Sequence, residues 1–282
     1  MNSIVVNPHA RITVEQGDPP AFLIDAPVAR RGRVRERIEK PHVVAWELLN
    51  RLTAPGTNDV EFSLEEVQVA KDLGLIVDAK QIARSVEFGA LLIWPRHKPN
   101  IEPARVALRT RGVGIVDSLL PVDFAAALGR YCADLAAEGY MTIDAQSDRW
   151  CAHNEPVAES VHAQLTPLVQ QIVEEPVKAS YAYLVNYRRG AVLEKHTDRV
   201  QCEYTVSIGL GEVPSLERAS AWPLFIEHSD SPSPIEIRLG IGDAVIFRGR
   251  QLPHYRNALS QSEAARALFL HFVPLDFAGP LH

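Results

Sequence analysis

Gly190-Ala191-Val192-Leu193-Glu194-Lys195-His196-Thr197-Asp198-Arg199 is the stretch on which the reading of this chain turns. In an extended segment alternate side chains project to the same side, so His196 and Asp198 can reach one point in space. Two imidazoles and one carboxylate on one face of a metal leave its other positions open, a ligand set suited to non-haem Fe(II). The third ligand must then come from a distant strand lying alongside. His254 suits that role: it follows Gly242-Asp243-Ala244-Val245-Ile246-Phe247-Arg248-Gly249, a turn entering an apolar run with a glycine exit. Twelve residues later, Arg266 heads the apolar run Ala267-Leu268-Phe269-Leu270-His271-Phe272. A lone arginine at the head of a buried strand needs an anionic partner, because an unpaired buried guanidinium is very costly. A dicarboxylate supplies one, and arginine grips a carboxylate through two parallel hydrogen bonds.

Outward from this stretch the chain is rich in short strands. Ser180–Tyr187, Cys202–Leu210, Pro223–His228, Ile235–Leu239, Ala244–Arg248 and Arg266–Val273 are bounded by Gly, Pro, Asn and Asp. Such spacing predicts an all-β sandwich or barrel. Ahead of it, Pro121–Glu138 and Val157–Val177 read as helices that brace one outer face, and Ala104–Asp117 reads as strands. The polar segment Arg96–Pro103, with its two prolines, reads as a linker. Two domains follow, residues 1–100 and 101–282, and the fold class is α+β.

From about Leu108 to the end the chain resembles the 2-oxoglutarate/Fe(II) dioxygenases of the prolyl-4-hydroxylase-like branch. The resemblance is carried by Ser180–Tyr187, Gly190–Arg199, Gln201–Thr205, Trp222-Pro223-Leu224, Gly242-Asp243-Ala244, Leu252–Arg256 and Arg266–Val273. It implies a double-stranded β-helix, or jelly roll, with Fe(II) held by His196, Asp198 and His254. Arg266 would clamp the distal carboxylate of the cosubstrate 2-oxoglutarate. A tyrosine about nine residues before the His-x-Asp pair often assists in such proteins, and Tyr187 stands there. Tyr183 shares its strand parity, and Thr205 and Ser207 are weaker candidates for cosubstrate contact. The chemistry implied is decarboxylation of 2-oxoglutarate to succinate coupled to hydrogen abstraction from a substrate. Asp198 supplies the carboxylate that halogenases replace to seat a halide, which disfavours halogenation.

Taken singly, these residues have bland readings: His196 and Asp198 as a surface turn, His254 as a satisfied loop histidine. Their order and strand context together outweigh those readings. His271, opposite in parity to Arg266, is expected as a packed histidine on the outer face. Arg199 and Arg256 are candidates for substrate or cosubstrate contact. Arg149–Pro156 reads either as a substrate loop or, through Asn154, as a helix cap. Cys202 reads as a small buried residue.

Composition sets outer limits. Hydrophobic residues make up 46% of the 282, enough for a core without disulfides or a structural metal. Cys132, Cys151 and Cys202 lack a Cys-x-x-Cys spacing and read as reduced thiols of a cytoplasmic protein. No stretch approaches a membrane span or a signal peptide. The net charge of −6 argues against a nucleic-acid partner, and the basic cluster Arg30–Arg35 reads as a solvated turn or strand face.

The first 85 or so residues show strand-then-helix order. Ala10–Glu15 and Ala21–Asp25 are β-like; Val43–Leu52 has helical spacing; Ser63 and Glu66 form a capping-box pattern, with Gly74 ending that helix. A third helix is expected over Ala79–Phe88. The order is similar to small winged-helix modules that grip leader peptides, while a packing or dimerisation appendage, and hence a homodimer, is the plainer alternative. Three functions follow: hydroxylation of an amino-acid side chain in a peptide or protein, the same chemistry on a small molecule or free amino acid, and a non-catalytic metal- or ligand-binding sensor.

Overall fold

The structure is a computed structural model that describes residues 4–6, 11–15, 20–28, 32–39, 42–53, 63–78, 97–214, 220–228 and 231–281. The chain divides into two packed units, residues 1–90 with 155–157, and residues 91–154 with 158–282.

The first unit contains β1 (Ile4–Val6), β2 (Arg11–Glu15), β3 (Ala21–Val28), β4 (Gly32–Glu39), α1 (Val43–Thr53), α2 (Leu64–Asp72) and β5 (Ile76–Asp78). β2, β3 and β4 form an antiparallel sheet, and β1 pairs with β5. Alternation on β3 buries Phe22 and Ile24, which meet Leu48 and Leu49 of α1 and Ala70 of α2 in one apolar cluster. The capping box is formed: Ser63 Oγ accepts from Glu66 N–H at 3.2 Å, and the Glu66 carboxylate accepts from Ser63 N–H at 2.8 Å. Part of the basic cluster falls in β4, which pairs with β3 over its whole length. The helix expected over Ala79–Phe88 lies outside the described residues.

The second unit contains α3 (Glu102–Arg111), β6 (Val113–Val116), α4 (Val122–Ala137), β7 (Thr142–Asp144), β8 (Arg149–His153) and α5 (Pro156–Val173). β9 (Val177–Arg188), β10 (Leu193–His196), β11 (Tyr204–Val213), β12 (Leu224–Ile226), β13 (Ile235–Ile237), β14 (Ala244–Phe247), β15 (His254–Arg256) and β16 (Ala264–Pro274) follow. Two antiparallel sheets result, β6-β14-β11-β16-β9-β8-β7 and β10-β15-β12-β13. From β9 onward the chain alternates between them, apart from the β12–β13 step, which gives the sandwich expected from the strand pattern in the jelly-roll form that the resemblance implies.

The strands expected over Ala104–Asp117 are corrected to a helix, α3, followed by the short strand β6. Ala104 and Leu108 are buried four residues apart, Arg105 pairs with Glu102, and Gly112 closes the helix at φ 69°. Helical period, with Ala104 and Leu108 on one face, replaces the strand reading here. Asn154 is likewise no helix cap: its side-chain oxygen accepts from Ala182 N–H at 2.8 Å, fastening the end of β8 to β9.

Helix α4 lies against the outer face of the larger sheet and approaches it closely at Gly129, where a Cβ would collide with the Leu210 carbonyl. The Asp243 carboxylate closes the turn before β14, accepting from Ser118 N–H at 2.8 Å and Gly240 N–H at 2.9 Å. Gly242 there adopts φ 87°, a left-handed conformation that glycine takes without a Cβ penalty.

Candidate metal centre

Register builds the centre. β10 and β15 are neighbours in the smaller sheet, and His196 stands directly opposite His254. Their ring centroids are 4.3 Å apart. Asp198 follows the end of β10, its N–H donating to the Gly249 carbonyl at 2.9 Å. The Oδ1 atom of Asp198 is 3.6 Å from Nε2 of His196 and 3.6 Å from Nε2 of His254. The three side chains thus converge on one point.

The tautomers suit a cation at that point. His196 Nδ1 lies 2.7 Å from the Glu194 carbonyl and His254 Nδ1 lies 3.0 Å from the Leu252 carbonyl. A carbonyl only accepts, so each Nδ1 is the protonated nitrogen and each Nε2 turns a lone pair toward Asp198. Backbone anchoring of the outer nitrogen is how imidazole ligands are commonly oriented. Burial alone would raise the Asp198 carboxyl, but the facing His196, His271 and His254 and the Thr205 hydroxyl hold it below the ordinary carboxylate range. The neighbouring Asp198 carboxylate raises His196, whereas burial lowers His254. A carboxylate ionised at neutral pH and two imidazoles with inward lone pairs fit a divalent cation that takes mixed N and O donors.

The centre opens on a cavity of about 550 Å³. Its walls include Tyr181, Tyr183, Thr205, Ser207, Arg256 and His271, with Arg149 and Arg199 also lining it. Ser207 and Arg256 are shared with a smaller adjoining cavity of about 50 Å³, which Tyr187, Trp222 and Arg266 help to line.

Several expected residues therefore meet and others do not. His196, Asp198 and His254 come together. Tyr183 and Thr205 line the same cavity. Tyr187 is buried in the cluster with Trp222 and Ala265, and its hydroxyl accepts from Arg149 Nη1 at 2.8 Å. The Thr205 hydroxyl is occupied with Asp198 Oδ2 at 2.5 Å. Arg266 is not brought to the metal-ligand cluster: along β16 it shares parity with Leu268 and Leu270, while Phe269 and His271 line the cavity. The expectation for His271 is corrected. It faces the cavity, 94% buried, with Nδ1 3.1 Å from Thr205 Oγ1.

Arg256 and Arg149 are the cavity arginines that the strand patterns place least directly. Arg256 is two residues past His254 on a three-residue strand, so the two side chains share a face. It is fully enclosed; Nη1 donates to the Trp222 carbonyl at 2.5 Å, its guanidinium lies over the Trp222 ring, and Nε has no partner. Burial lowers its pKa, and it makes no ion pair among the described residues. Ser207 Oγ, also on the shared wall, is buried without a partner too. Two orphaned donors on one wall suit an anionic ligand group, since a buried donor left unpaired costs about 1–3 kcal/mol. Arg149, from the stretch read as a substrate loop, sits on β8 opposite Tyr187 and pairs with Asp144 at 3.0 Å. Arg256, a candidate for substrate or cosubstrate contact in the sequence, shares strand parity with His254; no local pattern points to Arg149.

Solved structures share this fold. A Pseudomonas putida prolyl-4-hydroxylase superposes with a TM-score of 0.52 and 18% identity over 62% of this chain and 98% of that one. AviO1 of Streptomyces viridochromogenes gives 0.51 and 18% over 65% and 99%. The non-haem α-ketoglutarate-dependent epimerase SnoN of nogalamycin biosynthesis gives 0.51 and 13% over 62% and 82%. No protein-family model matches the chain, and no curated protein matches it in sequence. The second unit is therefore similar in fold to 2-oxoglutarate/Fe(II) oxygenases.

Proposed function

We propose that the chain is an Fe(II)- and 2-oxoglutarate-dependent oxygenase that hydroxylates an amino-acid side chain in a peptide or protein. The observation that carries the class is the donor set itself: two Nε2 lone pairs and one carboxylate oxygen, tautomers set by backbone carbonyls, facing an open cavity. His196, Asp198 and His254 would hold the iron. Arg256, with Ser207 beside it, would take the distal carboxylate of 2-oxoglutarate in place of Arg266. Iron with this cosubstrate supplies dioxygen activation and hydrogen abstraction.

The chain's own residues do the positioning. The Glu194 and Leu252 carbonyls hold the imidazoles in one tautomer and orientation. Arg256 and Ser207 offer donors to an anion on an enclosed wall, where water competes weakly and a charge-assisted hydrogen bond is stronger. Tyr183 and Phe269 line the route past Arg149, whose guanidinium lies over both rings. Peptide as substrate is supported by the separately packed first unit, whose strand-then-helix order suits a small winged-helix-like peptide-gripping module. A small-molecule substrate is the second reading, favoured by a cavity whose volume lies within the range of ordinary ligand pockets. Three cysteines without a Cys-x-x-Cys spacing suit a reducing cytoplasmic setting. Among the described residues no helix is long and apolar enough to cross a membrane.

The test is anaerobic addition of Fe(II) and 2-oxoglutarate, followed by the visible spectrum, with His196→Ala as control. A charge-transfer band that vanishes in the variant supports the assignment. No band, with iron binding indifferent to the substitution, rejects it; tight iron binding without conversion of 2-oxoglutarate to succinate favours a sensor.

A further inference from the structure

The two oxygens of the Asp198 carboxylate live in different surroundings. Oδ1 faces the Nε2 atoms of His196 and His254, 3.6 Å from each. Oδ2 accepts from Thr205 Oγ1 at 2.5 Å. On the same side lies Gly249, whose backbone carbonyl accepts the Asp198 N–H at 2.9 Å. A Cβ on Gly249 would overlap Oδ2 and stand 2.6 Å from Thr205 Oγ1. The carboxylate is therefore enclosed on its Oδ2 side by a hydroxyl and a bare glycine backbone, and open on its Oδ1 side.

Hydrogen counting makes the arrangement directional. A threonine hydroxyl has one hydrogen, and an ionised carboxylate only accepts, so that hydrogen goes to Oδ2. Thr205 Oγ1 can then only accept in its other contact, with His271 Nδ1 at 3.1 Å, so the Nδ1–H tautomer of His271 is selected. His271, Thr205 and Asp198 form a donor chain running one way, from β16 through β11 to the metal-facing carboxylate. All three are largely buried, with Thr205 and His271 at 4% and 6% exposure. Cross-strand pairing holds the chain in register, since Thr205 stands directly opposite His271.

We propose that Thr205, with Gly249 supplying the clearance, is a positioning residue that makes Asp198 a one-oxygen ligand. This rests on the iron assignment made above. With Oδ2 tied to Thr205, the carboxylate cannot swing both oxygens onto the cation, and the remaining metal positions stay available for a chelating cosubstrate and dioxygen. The cosubstrate contact expected of Thr205 is replaced by a role one step back from the metal. Gly249 is needed because any side chain there would push the carboxylate off its hydroxyl.

The experiment is anaerobic titration of Fe(II) into the full chain and into Thr205→Val, Thr205→Ser, Gly249→Ala and His254→Ala, reading the dissociation constant directly. Loss of an outer partner of a ligand costs about 10- to 100-fold in metal affinity, and that weakening is expected for Thr205→Val. Thr205→Ser keeps the hydroxyl and should bind as the unmodified chain does, while Gly249→Ala should weaken binding from the other side of the carboxylate. The spectrum with 2-oxoglutarate should change in Thr205→Val and be restored in Thr205→Ser. If His254→Ala abolishes binding but Thr205→Val and Gly249→Ala both bind like the unmodified chain, the positioning role is wrong and the iron assignment survives. If His254→Ala binds iron normally, the iron assignment itself falls.

Discussion

Arg266 stands opposite Asn186 in the β9–β16 ladder, and each leaves a buried polar atom unpaired, Nε of the one and Oδ1 of the other. The inward positions beside them are Ala265, opposite Tyr187, and Ala267, opposite Val185. A one-residue offset moves a strand side chain to the other face of its sheet, so Arg266 and the metal cavity are separated by parity rather than by distance along the chain. Arg266 lines the smaller adjoining cavity with Arg256 and Ser207, and of the two arginines Arg256 also lines the metal cavity.

Arg256→Met should therefore weaken 2-oxoglutarate binding, and Arg266→Met should not. Hydrogen bonds to charged groups are worth about 1.5–3 kcal/mol, or roughly 10- to 100-fold in affinity. Titration of the charge-transfer band with 2-oxoglutarate at saturating Fe(II) reads both. The reverse pattern would return the clamp to Arg266.

Acid should destabilise the metal-free chain through its buried histidines. Burial pushes His271 down to about 4 and His162 to about 3, from an ordinary value of 6.5. Between those values and 6.5 the unfolded chain binds more protons than the folded one, so stability falls as pH drops through that window. His196 has the opposite sign: its raised pKa adds stability that is complete below 6.5 and lost as pH rises through the folded value. Melting temperatures from pH 7 to pH 4 should fall, and His162→Gln should make the decline shallower. A slope unchanged by that substitution would count against a buried neutral His162.

Gly129→Ala gives a test of sign. In an exposed helix interior this change stabilises by about 1 kcal/mol. Here the new methyl group would collide with the Leu210 carbonyl on β11, a backbone atom in a sheet that cannot give way cheaply. Chemical denaturation should show a loss of stability. A gain would mean that α4 does not approach the sheet so closely.

Ser63→Ala removes the hydroxyl half of the capping box on α2 and should cost about 1 kcal/mol. Glu66 would keep its ion pair with Arg51 at 2.7 Å, so the α1–α2 contact should persist. Hydrogen exchange of the first turn of α2 should accelerate while amides on α1 are little changed. Equal loss of protection on both helices would show that the cap stabilises the whole unit.

Local pattern was sufficient for much of this protein. The His-x-Asp spacing puts two side chains on one face, the short strands between glycine and aspartate turns announce a β sandwich or barrel, the resemblance implies a jelly roll, and the Ser63–Glu66 box is complete within four residues. Other features depend on what stands across a ladder. Arg105–Arg111 lies in the segment read as strands, yet Ala104 and Leu108, four residues apart, are buried together on one face of a helix. His271 and Arg266 exchange the faces expected of them because pairing with β9 and β11 sets which parity of β16 points inward. The orphaned Nε of Arg256 and the clearance at Gly249 exist only once β15, β11 and the end of β10 are assembled. The residue types that can bind a metal, and their order, are written in the linear chain; which atoms face the cation follows from parity and register, which are properties of paired strands and not of any one of them.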